Sequence, residues 1–296
     1  MTMHLSMPDR LIVTKASGKT EAFSEAKLLN SLINAGTTEE VARKIVAGVR
    51  PHLYAGISTK NIYQSAFSFL RKTSRHLAGR YHLKRGIMEL GPSGFPFEVY
   101  IAEILKSQGY RVDVGTSVKG HCVNHEIDVI AQKDDNHFMI ECKYHSQQGL
   151  ACTVKIPLYI QSRFKDVEAV WIQQPEHKKK IHQGWVVTNT RFTKDAIQYG
   201  ECAGLKLLAW DYPQKNNLKN QIDELGLYPL TCLTSLTRQE KQLLLNKKIV
   251  LCLDVCRDEH LLLEIGLSQS RIKKVVEEGR RLCQSLIQKS NHQHQL

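Results

Sequence analysis

Apolar residues recur at helical spacing through the first third of this chain, then gather into short strand-like runs, then return to helical spacing. Leu11 to Lys15 is a short apolar strand, and Ala16-Ser17-Gly18-Lys19 reads as a hairpin turn. Ser24 caps a helix carrying Leu28, Leu29, Leu32 and Ile33, and Gly36 ends it. Thr38-Glu39-Glu40 opens a second helix through Val41, Ile45 and Val49, closed by Pro51. Ser58 or Thr59 caps a third with Ile62, Ala66, Phe69 and Leu70 on one face, and a fourth helical stretch runs to about Met88. Residues 11–91 therefore read as a small, mostly helical module with a strand hairpin.

Gly91-Pro92-Ser93-Gly94 is the clearest breaker, and a boundary belongs there. Beyond it the pattern is α/β. A helix spans Pro96 to Gln108, and strands follow at 110–114, 126–131, 137–143, 184–188 and 205–210, with helical segments between, one of them Thr193 to Ala203. This alternation predicts a mixed sheet with helices on both faces over residues 94–212. A second boundary falls near Tyr212-Pro213-Gln214. From Leu230 helical spacing resumes, with starts at Thr237, Ile249 and Gln269, so 228–288 reads as a small helical region ahead of a polar tail, Lys289 to Leu296.

The apolar runs on either side of Lys133-Asp134-Asp135-Asn136 fix a register. With Asp134 and Asp135 as the loop, Ala131 faces Phe138, Val129 faces Ile140 and Ile127 faces Cys142, giving one apolar face. The opposite face places Asp128 across from Glu141, with Lys143 two residues on. A structural salt bridge is one reading of such a group. Two opposed carboxylates repel, however, unless a cation lies between them. Asp128 and Glu141 are thus candidate ligands of Mg2+ or Mn2+, oxygen-seeking ions. Such an ion stabilises charge on a phosphoryl oxygen and lowers the pKa of a water, which Lys143 could orient.

Composition changes this picture little; charge changes it more. The 296 residues are 42% hydrophobic and 24% charged, ordinary globular values, and no apolar run nears the roughly 18 residues a membrane span needs. The first ten residues lack the apolar core of a secretory signal, and eight scattered cysteines suit a reducing cytoplasm. Net charge is +12, unevenly spread. Residues 1–95 carry 14 basic and 6 acidic side chains, residues 96–213 carry 14 of each, and residues 214–296 carry 13 and 9. Two basic flanks around a neutral centre point to a polyanionic partner such as nucleic acid, though many soluble proteins are basic without one.

Asp128, the hairpin and Glu141-Cys142-Lys143 resemble the PD-(D/E)xK nuclease motif, with Glu98 in the position of that superfamily's helical acid. Gly94-Phe95-Pro96-Phe97-Glu98, Gly109-Tyr110 and the run Trp185 to Thr193 look like the Mrr branch, the type IV restriction endonuclease-like proteins. That resemblance implies a Mg2+-dependent DNA endonuclease in which Asp128 and Glu141 bind the ion, Glu98 supports it and Lys143 assists attack by water. Many Mrr members carry Gln where this chain has Glu141. His145 and Gln147, just past the motif, are phosphate-contact candidates or solvated loop residues.

The run Ser17-Gly18-Lys19-Thr20 is no P-loop, since the required first glycine would fall on Val13. Val13 to Gly18, Glu21, Phe23, Lys27, Ile57-Ser58-Thr59 and the Ala78 to Lys84 helix resemble instead the ATP-cone, a regulatory nucleotide-binding module. The likeness implies ATP or dATP contacts at Val13, Lys15, Glu21, Lys27, Thr59 and Lys84. Ala16 and Tyr63 depart from it, standing where a second basic residue and a histidine are common, and a plain basic module that adds DNA affinity is the competing reading. Leu263 to Ser268 with Arg271, Lys273 and Lys274 loosely resembles a helix-hairpin-helix element, or is a helical cap with a basic face. Cys252 and Cys256 read as core cysteines. The expected whole is an α/β endonuclease acting on DNA, cytoplasmic, regulated by nucleotide and free to form a homo-oligomer. A catalytically inactive, nucleotide-responsive DNA-binding regulator is the alternative, and a nuclease for branched or damaged DNA a third possibility.

Overall fold

The structure is a computed structural model that describes residues 11–175 and 181–284. The first ten residues, the end of the last expected helix and the polar tail lie outside the described residues. Near the N-terminus, β1 (Ile12–Thr14) pairs antiparallel with β2 (Thr20–Ala22), placing Val13 opposite Glu21. The turn between them uses Gly18 at φ +79°, a conformation a side chain resists. Side-chain oxygens of Ser24, Thr38 and Ser58 accept from backbone N–H groups to start α1 (Glu25–Ile33), α2 (Glu39–Val49) and α3 (Thr59–Thr73). Then comes α4 (Arg75–Gly86). Leu28, Leu32, Ile45, Val49, Ile62 and Leu70 close a core that includes Val13.

Helix α4 also faces the other way. A Cβ on Gly79 would stand 2.9 Å from the Cys232 carbonyl, and one on Gly86 2.8 Å from the Cys232 Sγ. The two glycines, seven residues apart, let the helix backbone lie directly on the C-terminal region. Leu83, Ile87, Met88 and Leu90 accordingly join a core shared with residues 97–142 and 218–283, so packing runs across the breaker at 91–94.

The centre holds α5 (Phe95–Ser107), β3 (Arg111–Lys119), β4 (Asn124–Lys133), β5 (Asn136–Lys143), α6 (Lys155–Trp171), β6 (Ile181–Thr188), α7 (Lys194–Cys202) and β7 (Lys206–Leu208). The strands form a five-stranded sheet in the order β3-β4-β5-β6-β7, antiparallel through β5 and parallel from β5 to β7. Helix α5 covers one face through Phe97, Ile101 and Ile104, against Val129, Ala131 and Ile140. Helices α6 and α7 cover the other through Ile160, Phe164, Val167 and Ala196, against Ile130, Met139 and Val186. This is the mixed α/β centre that the alternation of periods predicts.

The C-terminal region consists of α8 (Leu218–Leu225), α9 (Arg238–Asn246), α10 (Cys252–Arg257), α11 (His260–Glu264) and α12 (Gln269–Leu282). Thr237 and Glu240 form a reciprocal capping box at the start of α9. The helix expected from Ile249 to Cys256 begins instead at Cys252 and runs to Arg257, because Leu251 stays extended to bridge Pro229. Arg271, expected on a solvated basic face, instead grips Glu240 and donates to the Ser235 carbonyl. Six of the eight cysteines are buried as core residues, including Cys252 and Cys256, while Cys122 and Cys202 are exposed; all eight are free thiols. Among the described residues no helix is long and apolar enough to cross a membrane.

Candidate active site

The β4–β5 hairpin turns at Asp134 and Asp135, with Asp134 at φ +52°, and the pairing runs Lys133–Asn136, Ala131–Phe138, Val129–Ile140. That is the register derived from the sequence. The paired ladder then ends, and Asp128 and Glu141 do not oppose each other within it. The Asp128 Oδ2 instead accepts the Cys142 backbone N–H at 2.7 Å, so a side chain occupies the place of a ladder bond. Alternation breaks at the same point. Ile127 packs with Ile130 and Met139 beneath α6 rather than with Val129, and Gly115, across from Asp128 on β3, takes φ +64°. On β4 the expected apolar face therefore stops at Val129, where the carboxylate takes the amide, whereas on β5 Cys142 continues it with Phe138 and Ile140.

Glu141 is 6% exposed and fully engaged. Its Oε1 lies 2.6 Å from the Lys143 Nζ, and its Oε2 lies 2.6 Å from Nη1 of Arg163 on α6. The second arm of Arg163 donates to the Glu126 carbonyl on β4. Glu98 projects from the first turn of α5, its Oε1 standing 3.4 Å from where a Cβ on Gly94 would begin.

Charge crowding shows in the acids. Burial, then the nearby Asp128 and Glu141 carboxylates, push Glu98 up to about 7. Burial and Glu141 push Asp128 up to about 6, against the opposing pull of the Cys142 N–H and Lys143. Burial disfavours the Lys143 ammonium, but Glu141 and Asp128 together hold it above the ordinary lysine value, so it stays charged. Among the described residues no group of three or more His, Cys, Asp or Glu side chains stands gathered for a metal ion. The donor set nevertheless fits a divalent cation of hard character. Asp128 and Glu141 supply oxygens, and the raised carboxyl groups mark negative charge that such an ion would neutralise.

Past Lys143 the chain is tied to the end of β6. The Thr188 hydroxyl donates to the Lys143 carbonyl at 2.7 Å. Fully buried Asn189 accepts the His145 N–H at 2.9 Å and donates to the His145 carbonyl at 2.8 Å, while Thr190 meets the His145 ring. His145 is thus anchored, and Gln147 is exposed. Asn189→Ala strands both backbone groups, and about 2 kcal/mol of stability should be lost in urea unfolding.

The six residues of the ATP-cone resemblance separate into groups. Val13 is buried in the module core. Lys15 and Lys27 converge on Glu21 at 2.6 and 3.3 Å. Thr59 and Lys84 line a cavity of about 530 Å³ that also touches Trp210 and α8. Lys15 meets Lys84 across an adjoining recess of about 230 Å³ walled by Arg191 and Asp211.

Arg163 has no motif around it, which is why inspection of the sequence passes over it. Its helical position was the available signal: it falls three residues after Ile160 and four before Val167, on the buried stripe of α6.

Residues 91–213 match the family described as restriction endonuclease, and residues 228–283 match the family described as AF1548-like, C-terminal. An uncharacterized protein of Archaeoglobus fulgidus is 34% identical over 183 residues, spanning 62% of this chain and 99% of that protein. A crystal structure titled as that of a protein of unknown function, AF1548, superposes with TM-score 0.54 at 33% identity, covering 64% of this chain and 98% of the other.

Proposed function

Because this chain belongs to the AF1548-like family, with a restriction endonuclease domain at its centre, we propose that it is a Mg2+-dependent DNA endonuclease, regulated by a nucleotide held at its N-terminal module. The observation that carries the nuclease reading is the Asp128–Glu141–Lys143 group at the open end of the β4–β5 ladder. Asp128 and the Lys143-facing oxygen of Glu141 would hold the ion, and Glu98 would support it directly or through water. When bound, the ion polarises a phosphoryl oxygen and makes a nearby water easier to deprotonate. Lys143 keeps its proton, is one-third exposed, and leaves Glu141 to donate to the attacking water or to the charge that builds on the phosphate. Water adds to phosphorus and gives up a proton to solvent, and the phosphorus–oxygen bond to the leaving sugar breaks as that oxygen takes up a proton. Thr188 and Asn189 keep Lys143 and the residues after it in place. Supercoiled DNA with Mg2+ should yield nicked and linear products that a chelator abolishes; intact DNA with active-site residues unaltered contradicts the reading.

The nucleotide reading is supported by the junction cavity, where Thr59, Lys60, Arg80, Lys84 and Arg85 supply donors and cations and Tyr63 and Tyr81 supply rings. Lys84 sits over the Trp210 ring at 5.6 Å, and burial lowers its pKa, so a phosphate there would gain a partly desolvated partner. In calorimetry, ATP or dATP should bind the wild type, and Lys84→Met should weaken binding about tenfold, the loss of one charge-assisted contact. No binding heat from the wild type would remove the nucleotide from the account.

A further inference from the structure

We infer that Arg163 is a positioning residue that restricts Glu141 to one free oxygen and so sets which divalent cation the site accepts. The inference rests on the metal reading of Asp128 and Glu141. Three observations carry it. The paired ladder between β4 and β5 ends at Val129–Ile140, so in the described pairing no ladder bond fixes the spacing where the candidate ligands lie. The guanidinium spans that gap, holding Glu141 Oε2 of β5 with one arm and the Glu126 carbonyl of β4 with the other. Its side chain is only 12% exposed and lies along the stripe by which α6 packs on the sheet, so the bridge is anchored rather than a surface ion pair.

The consequence is geometric. With Oε2 held by Arg163, Glu141 offers Oε1 alone, and an incoming ion needs only to displace the more exposed Lys143 ammonium from it. A one-oxygen carboxylate suits Mg2+ or Mn2+, which demand compact octahedral shells. Ca2+ takes more oxygens and readily uses both of one carboxylate. Freed from the guanidinium, Glu141 regains its second oxygen, and the advantage moves toward Ca2+. A lysine could restore the charge but could not reach both strands with one ammonium.

The test is binding, not turnover. Mn2+ and Ca2+ are titrated into the full chain by calorimetry, for the wild type, Arg163→Met and Arg163→Lys, with thermal unfolding confirming that each variant folds. Removing a positive charge changes both affinities in the same direction, so the ratio of dissociation constants reads geometry. The ratio should move about tenfold toward Ca2+ in Arg163→Met, the scale at which partners behind a ligand tune a site, and in the same direction in Arg163→Lys. Ions that bind with an unchanged ratio in both variants overturn the role of Arg163 and leave the nuclease reading standing. A wild type that binds neither ion overturns the metal reading itself, and Arg163 with it. Should Arg163→Met fail to fold, the Arg163→Lys ratio alone decides.

Discussion

Replacing Lys143 with alanine should slow Mg2+-dependent DNA cleavage by about 10³-fold, the scale of a lost group that handles a proton or charge in the transition state. The effect is expected in the rate at saturating DNA, not in DNA affinity, because the ammonium is held inside the site by Glu141 and Asp128 and contributes little to the surface field. Lys143→Arg should recover little. A planar guanidinium cannot take the place of a compact ammonium 2.6 Å from a buried carboxylate without moving Glu141. Single-turnover rates with wild type, Lys143→Ala and Lys143→Arg check this directly. A Lys143→Ala enzyme within threefold of the wild type would exclude the lysine from the chemistry.

The second large effect is on stability as a function of pH. Asp128 and Glu98 keep protons in the folded chain up to about 6 and about 7, whereas the unfolded chain loses them near 4. The folded state therefore binds more protons between those values. This contribution to stability is complete below about pH 4 and is lost as the pH rises through about 6 and then about 7. At pH 8 Asp128 and Glu98 have both lost their protons beside Glu141, Lys143 and Arg163, and a divalent cation has most to gain there. Saturating Mg2+ should raise the unfolding temperature by about 5 °C at pH 8, a shift of the size expected for an ion well above its dissociation constant. At pH 5, where the site holds protons, the shift should nearly vanish. Glu98→Gln and Asp128→Asn should each flatten the pH dependence of the metal-free protein. Equal Mg2+ shifts at both pH values would show that the ion binds elsewhere.

Local features of the sequence carried much of the fold. The helix caps at Ser24, Thr38, Thr193 and Thr237 all sit where the polar residue precedes an apolar repeat. The two-residue loop at Asp134-Asp135 fixed the β4–β5 register, because a slip of one residue would have turned Val129 and Ile140 out of the core. What local reading could not supply was the end of that ladder. The turn at Asp128 depends on Gly115 in the neighbouring strand and on a side chain capturing the Cys142 amide, neither of which alternation encodes. Arg163 reaches the site across 22 residues of chain, and the junction cavity is assembled from α1, α3, α4, the loop after β5 and α8. Such features arise from tertiary packing. The breaker at 91–94 likewise marks a change of period, but the close approach permitted by Gly79 and Gly86 carries one core across it.

The two basic flanks gain meaning from the site between them. Lys84 and its neighbours place cations at the module junction, and the nuclease domain keeps its acids where a metal ion would balance them. On the proposed function, DNA drawn by the flanks would meet a centre whose own net charge is zero.

The most direct measurement sets cleavage against binding in one variant. Wild type and Asp128→Asn are compared at equal concentration for cutting of supercoiled DNA with Mg2+ and for DNA binding with Ca2+ in place of Mg2+. The expected result is cleavage by the wild type, none detectable by Asp128→Asn, and DNA dissociation constants within about threefold of each other, since the substitution removes a proposed ion ligand and leaves the basic flanks intact. Equal cleavage by both proteins, or none by the wild type, would contradict the assignment of a metal-dependent nuclease to this site.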